Sequence, residues 1–552
     1  MIASSGEVGT LNLKSSYTWD RRDIRVALIL LAAALIYYLR FFNCGIDLDD
    51  EGFLLANAAS VLHGGWPIAD YYSYPPLSYW ILAAAFRSFG ELVIVERILL
   101  MVLILANVWL VFWAARHVLS LWWALFPAAL YAFAPGPWYK VFFVSHFLTV
   151  FAATLWMLDR PGWRRAGLLG FAIGLALIGR VEAGVVGAGV AALSTIVGFI
   201  ASPAYALPNA EGAASPRVRT VMRLAIQALT GAALPVALAL GAYALAGKLH
   251  PLFQNLDHYY NLVGSADYVN ALSGRAARYS FVDAVLRPSR ETTAYTFGVL
   301  ACSAVCLRAL PVLWRREPGD SGRLWWGVTG LFALVSMSYT YFYVWNSRML
   351  SSFPVVYIAI TLVVCWISAW LRARRQRPLL SHVVALAVLL LVARSVYKFA
   401  TTVDFYSGSY TTYIKGGMVR VAHPRLTGLW VYEFQVKDIE ALMKLTAGAS
   451  SRDYLVPMSE ATTMGYLSGL RNPTYYRLFL SEFAPQGEED TAIGTFERLK
   501  IRFFVARRSQ FVDEPGPGSD LKSYAPKIRR YLVDNYEVLP LGYGFVLLRR
   551  KQ

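Results

Sequence analysis

The sequence predicts a polytopic α-helical membrane protein with a small α/β domain at its C-terminus, and three observations carry the prediction. Hydrophobic residues make up 57% of the 552, with a mean hydropathy of +0.44, too apolar for a soluble chain of this size. About eleven apolar runs are spaced along the first 400 residues, most of them long enough to cross a hydrocarbon core as helices. Beyond about residue 400 the composition turns to ordinary polarity, with short alternating elements.

The apolar runs span about 24–42, 92–115, 121–139, 143–158, 166–180, 182–201, 222–246, 293–312, 324–344, 353–371 and 379–398. The first follows Arg21, Arg22 and Arg25 and lacks a small-residue cleavage site, so it reads as a retained helix. Every second loop is basic: Arg116, then Arg160 with Arg164 and Arg165, then Arg217, Arg219 and Arg223, then Arg315, Arg316 and Arg323, then Arg372 to Arg377. That alternation places the N-terminus in the cytoplasm and the tail outside. It also accounts for the net charge of +17 without a nucleic-acid partner. The four cysteines form no disulfide framework or metal spacing.

Three outer segments are long. The first, about 43–92, opens on Asp47-Leu48-Asp49-Asp50-Glu51, four carboxylates in five positions. A helical stretch from Gly52 to His63 follows, then a turn at His63-Gly64-Gly65-Trp66-Pro67, then the aromatic run Tyr71 to Trp80. Residues 77–89 are apolar but short, as in an interfacial helix. The second outer segment, Lys248 to Glu291, carries Asp257-His258-Tyr259-Tyr260, Arg275 and Arg278. The third is the tail, where Tyr454–Pro457 and Ile501–Ala506 read as buried strands and Val538–Arg549 as a hairpin turning near Gly542.

Carboxylates at a membrane surface take a proton from a hydroxyl, hold a divalent cation, or sit in water. Three further features fall on the predicted outer face. His146 stands near the start of one helix, where a structural role competes with a functional one. Arg180-Val181-Glu182 lies in apolar surroundings, as an internal ion pair at a tight turn or as part of a site. Arg348 breaks the positive-inside pattern, and its guanidinium suits a lipid phosphate, either a specific one or an ordinary headgroup. There is no P-loop, no Gly-x-Ser-x-Gly elbow and no Cys/His metal spacing, which disfavours cytoplasmic nucleotide chemistry.

The block Asp50-Glu51-Gly52 to Gly64-Gly65-Trp66-Pro67, with Tyr74-Pro75-Pro76-Leu77-Ser78-Tyr79-Trp80 and Phe89-Gly90, resembles the GT-C glycosyltransferases. Within them it is most similar to the protein O-mannosyltransferase and lipid A aminoarabinose transferase branch. Glu96-Arg97, the Gly174–Gly184 stretch with Arg180, Arg348–Pro354 and Met464–Gly469 resemble further parts of that pattern. The resemblance implies a GT-C catalytic domain over 1–399 and an extracytoplasmic α/β domain over 400–552. It implies transfer of a sugar from a polyprenyl-phosphate donor to a hydroxyl of a lipid, glycan or protein acceptor, with inversion, in a bacterial inner membrane.

In that scheme Asp50 is the expected general base, with Asp49 and Glu51 beside it, and Arg348 and Arg180 bind the donor phosphate. Asp47, Tyr74, His146, Glu182, His258 and Tyr259 are expected donor or acceptor contacts. Tyr74 stands where the family often has a lysine, and His146 near where a second acidic residue is common. No cofactor is required, and a divalent cation on Asp47, Asp49 and Asp50 stays open. The Trp-Trp-Asp signature of oligosaccharyltransferases is absent, since Trp122-Trp123 precedes Ala124 and Trp325-Trp326 precedes Gly327. A transporter or flippase of an amphipathic glycolipid, or an envelope-assembly scaffold, is the competing reading; no repeated halves support the former.

Overall fold

The structure is a computed structural model of the chain. It describes residues 19–48, 50–133, 138–201, 216–263, 298–308, 321–341, 346–373, 415–450, 452–458, 461–475, 488–511, 521, 525–542 and 544–551, with a few positions between 383 and 394. Two compact units emerge: one of residues 1–38, 101–239 and 273–403, the other of residues 39–100, 240–272 and 404–552.

The first unit is a helical bundle. It contains α1 (Arg21–Tyr38), α5 (Leu121–Phe133), α6 (Val141–Asp159), α7 (Trp163–Gly179) and α8 (Val181–Ala201), with helices 298–308, Ser321–Tyr341 and Asn346–Ala373. Most of α4 (Val93–Val118) and of α9 (Pro216–Leu245) belongs to it as well. Helices thus stand where ten of the apolar runs were expected, and the run at 379–398 lies largely outside the described residues. Among the described residues, Val93–Val118, Trp138–Asp159 and Arg219–Leu245 are long and apolar enough to cross a membrane by length and composition.

Local chemistry sets the boundaries. Asp20 and Asp23 cap the start of α1 reciprocally, Asp23 N donating to Asp20 Oδ1 at 2.7 Å and Asp20 N to Asp23 Oδ2 at 3.3 Å. Asp23 also accepts from Arg116 Nε at 2.9 Å, and Arg22 lies over the Trp122 ring, which gathers the ends of α1, α4 and α5. Between α7 and α9 the backbones nearly touch: a Cβ on Gly170 would fall 1.8 Å from the Ala228 carbonyl oxygen, and one on Gly174 2.4 Å from that of Ala232. This Gly-x-x-x-Gly face is the small-residue seam that lets membrane helices approach closely.

The second unit is built from α2 (Asp50–Leu62), α3 (Leu77–Phe89), α10 (Leu249–Val263) and the tail. A helix, α3, stands over 77–89, where the short apolar stretch was expected to be helical. The tail has a short ladder, β1 (Met418–Val419) against β2 (Val431–Tyr432), and a four-stranded sheet. The sheet runs β3 (Leu455–Pro457), β4 (Phe503–Arg507), β6 (Phe545–Arg550), β5 (Tyr536–Pro540), with β3 and β4 parallel and the other pairs antiparallel. β4 is central and buried on both faces over Phe503–Ala506, which explains its unbroken apolar run. Helices Glu489–Arg498 and Pro526–Asn535 supply Phe496, Ile528, Tyr531 and Leu532 to one core with Val456, Phe504 and Leu548. Tyr72, from the segment between α2 and α3, lies in that same core.

Candidate active site

The acidic cluster sits where α2 begins. Asp50 and Glu51 occupy its first turn, where unpaired backbone N–H groups and the helix dipole favour carboxylates. Glu51 is fully buried and ion-paired with the equally buried Arg97 of α4. Arg97 Nε donates to Glu51 Oε1 at 2.5 Å and Nη2 to Oε2 at 2.8 Å, the bidentate geometry that suits guanidinium and carboxylate. The same Nη2 reaches Gly45 O at 3.1 Å, and Asp47 N donates to Glu51 Oε2 at 2.9 Å. One salt bridge therefore fixes the segment on which Asp47 lies. Glu96, also buried, brings a second carboxylate within 3.5 Å of Arg97 Nε.

The tail grips the same segment from the other side. Trp430 N donates to Asn43 O at 2.8 Å and Gly45 N to Trp430 O at 2.7 Å, while Gln435 Nε2 donates to Ile46 O at 3.3 Å. Thr463, in the tail helix Thr462–Leu467, donates its hydroxyl to Asp47 O at 2.8 Å. Its backbone lies so close to α2 that a Cβ on Gly52 would fall 2.1 Å from Thr463 N. Arg507, at the end of β4, is held below the usual arginine range by burial, against which the Asp47 charge works. A tail cation thus feels the acidic segment.

The remainder of residues 43–92 is equally fixed. Ile68 adopts φ +64°, costly for a β-branched residue. Its turn is held by Ser73 Oγ on Ile68 N (3.0 Å), Asn255 Nδ2 on Ile68 O (2.9 Å), Tyr475 OH on Ile68 O (3.1 Å) and Tyr243 OH on Pro67 O (2.7 Å). At the far end Tyr466 OH donates to Glu91 O at 3.1 Å, and Arg425 pairs with the Glu91 carboxylate. Burial raises the Tyr466 phenol, an effect the nearby Arg425 cation opposes.

The helical bundle brings three predicted residues together. His146, in α6, lays its ring on Gly179, where a Cβ would fall 2.1 Å from His146 Nε2. Arg180 breaks the helix between α7 and α8 with an extended backbone, φ −157° and ψ 106°. Its Nε lies 3.2 Å from Glu182 Oε2, and its guanidinium sits 5.5 Å from the Phe143 ring. The Arg180–Glu182 ion pair at a tight turn is therefore present, and His146 lies beside it.

No family model and no curated protein matches the sequence. Solved structures do. The archaeal oligosaccharyltransferase AglB from Archaeoglobus fulgidus, in complex with an inhibitory peptide and a dolichol-phosphate, aligns over 96% of this chain and 74% of its own, at 11% identity and TM-score 0.52. The chain has the GT-C fold. The apo form of the Archaeoglobus fulgidus oligosaccharyltransferase aligns at 12% identity and TM-score 0.49 over 96% and 74% of the two chains. ArnT from Cupriavidus metallidurans bound to undecaprenyl phosphate aligns at 14% identity and TM-score 0.48, over 96% of this chain and 97% of its own.

On this GT-C fold, Asp47 and Glu51 are described in full, and Tyr74 is half-buried with its ring edge-on to Phe53 at 5.7 Å. Asp49 lies outside the described residues. Asp50, His258, Tyr259 and Arg348 have described backbones, in α2, α10 and the helix Asn346–Ala373, while their side chains lie outside the description. Among the described residues no group of three or more His, Cys, Asp or Glu could hold a metal ion. Sequence reasoning left three residues without a place at the acidic segment: Arg97, Thr463 and Arg507. Arg97 was visible only as part of a motif, and the two tail residues carry no local signal.

Proposed function

We propose that this GT-C protein is a membrane glycosyltransferase that moves a sugar from a polyprenyl-phosphate donor to an acceptor hydroxyl on the extracytoplasmic face. The observation that carries the reading is the acidic segment at the head of α2, anchored by the buried Glu51–Arg97 pair on one side and by Thr463 on the other. A base must be held still to take a proton in a single displacement, and this segment is held. Asp50 is the assigned base. Glu51, with both oxygens engaged, positions it rather than reacting. Polyprenyl phosphate is already a good leaving group, so cations matter more than an acid, and Arg348 and Arg180 are assigned to the phosphate. One displacement inverts the anomeric carbon.

The dolichol-phosphate bound to the archaeal oligosaccharyltransferase supports a lipid-phosphate donor for a chain of the same fold. The missing Trp-Trp-Asp signature favours a hydroxyl acceptor over asparagine. A bacterial inner membrane, with the tail outside, fits the alternation of basic loops. The test is transfer of labelled sugar from a panel of polyprenyl-phosphate donors to membrane acceptors, with purified wild type beside Asp50→Asn. Transfer by the wild type and loss of at least about a hundredfold in a folded Asp50→Asn is the expected result. Equal rates in the two proteins overturn Asp50 as base, and no transfer across the panel overturns the enzyme.

A further inference from the structure

The tail meets the first outer segment at its beginning, its middle and its end, which is more than a neighbouring module needs. At the beginning, Trp430, Gln435 and Thr463 bond residues 43–47. In the middle, Tyr72 N donates to Tyr475 O at 2.6 Å, Tyr475 OH holds Ile68 O, and the Tyr72 side chain is buried in the tail's own core. At the end, Tyr466 and Arg425 hold Glu91. At the beginning the two backbones also approach closely. Thr463 is fully buried, its hydroxyl is spent on Asp47 O, and Gly52 has no room for a methyl group against it. A glycine one residue after Glu51 weakens the first turn of α2, and close approach of the tail is the compensation.

We propose that the tail is the second half of the catalytic site, with Thr463 as the positioning residue that holds the Asp47–Glu51 segment in its working geometry. The role of Thr463 as a positioning residue for catalysis rests on the function proposed above; the fixing of the segment by the tail stands without it. Arg507 adds to the same picture, since the end of β4 brings a cation under the influence of Asp47. On this reading the tail acts in the chemical step and is not a detachable acceptor-binding module.

The test uses the full-length protein in detergent, as wild type, Thr463→Val, Thr463→Ser and Gly52→Ala. Valine keeps the shape of threonine and removes the hydroxyl; serine restores it. Amide hydrogen exchange over residues 45–52 is expected to speed up by about tenfold in Thr463→Val, while β4 amides stay at the wild-type rate. In the transfer assay kcat falls by about tenfold with the KM for donor within about twofold, and Thr463→Ser recovers most of the loss. Gly52→Ala perturbs the same contact from α2 and reproduces the exchange effect should Thr463→Val prove poorly folded.

Unchanged exchange over 45–52 in both folded variants overturns the proposal, as does a kcat loss that serine does not rescue. A protein that transfers no sugar removes the catalytic reading, yet the exchange experiment still decides whether the tail fixes the segment. An inactive Asp50→Asn beside a fully active Thr463→Val retains the enzyme and refutes the tail's part in it.

Discussion

The Glu51–Arg97 pair offers the sharpest physical test, because both groups are buried to zero exposure and neither can turn to water. Replacing Arg97 by methionine keeps the side-chain length and deletes the cation. Glu51 then loses two charge-assisted hydrogen bonds, at 2.5 and 2.8 Å, Gly45 O loses its donor, and Glu96 loses the cation 3.5 Å away. Breaking a buried ion pair from one side costs about 3–5 kcal/mol. Against a slope of about 2 kcal/mol per M, a cost of about 4 kcal/mol moves a urea midpoint by roughly 2 M. The assay is tryptophan fluorescence of the full chain in detergent, where Trp66, Trp80 and Trp430 report on this unit. Adding Glu51→Met should recover part of the loss, since the pair is then replaced by apolar groups. A midpoint within about 0.3 M of wild type for Arg97→Met, or a double variant no better than the single one, would refute the pair as the anchor of the acidic segment.

Two further outcomes follow from the packing. Gly170→Leu drives a side chain into the Ala228 carbonyl, 1.8 Å from where its Cβ must lie, so α7 and α9 separate and the yield of folded protein in detergent drops severalfold; near-normal yield with an unchanged melting curve contradicts the seam. His423 gives a pH dependence. Its Nδ1 accepts from Arg425 N at 3.1 Å, its Nε2 faces Leu467 O at 2.9 Å, and burial holds its pKa below the usual histidine value. The unfolded chain therefore binds the proton first. Stability from this group is present above the unfolded pKa of about 6.5 and is lost as pH falls through that value towards the lower folded one. Melting of the wild type at pH 7.5 and 5.0, beside His423→Gln, checks it: the variant should show the smaller drop between the two pH values.

How far the sequence could be read depends on how far each interaction reaches along the chain. Helices are local, so the length of the apolar runs located the bundle helices, and the short apolar stretch at 77–89 is α3 to the residue. Strands β3 and β4 were visible because a buried strand is a short apolar run between turns. The Arg180–Glu182 pair was visible because its members are two residues apart. The acidic segment was visible as charge, but its anchoring was not. Glu51 and Arg97 are 46 residues apart, and Thr463 and Asp47 are 416 apart; neither spacing is periodic, and neither residue type announces its partner.

What the sequence does hold is the trace that such contacts leave on glycine. Gly52 in the first turns of a helix, and Gly170 and Gly174 along another, each weaken a helix by about 1 kcal/mol relative to alanine. At these three positions the cost accompanies the close approach of another backbone, whereas Gly189 and Gly241, also inside helices, face open space. At Gly170 and Gly174 the other backbone is α9, and the four-residue spacing names a helix as the partner. At Gly52 the other backbone is that of Thr463, and a lone glycine in the sequence names no partner. Both the close approach at Gly52 and the identity of Thr463 therefore need the fold.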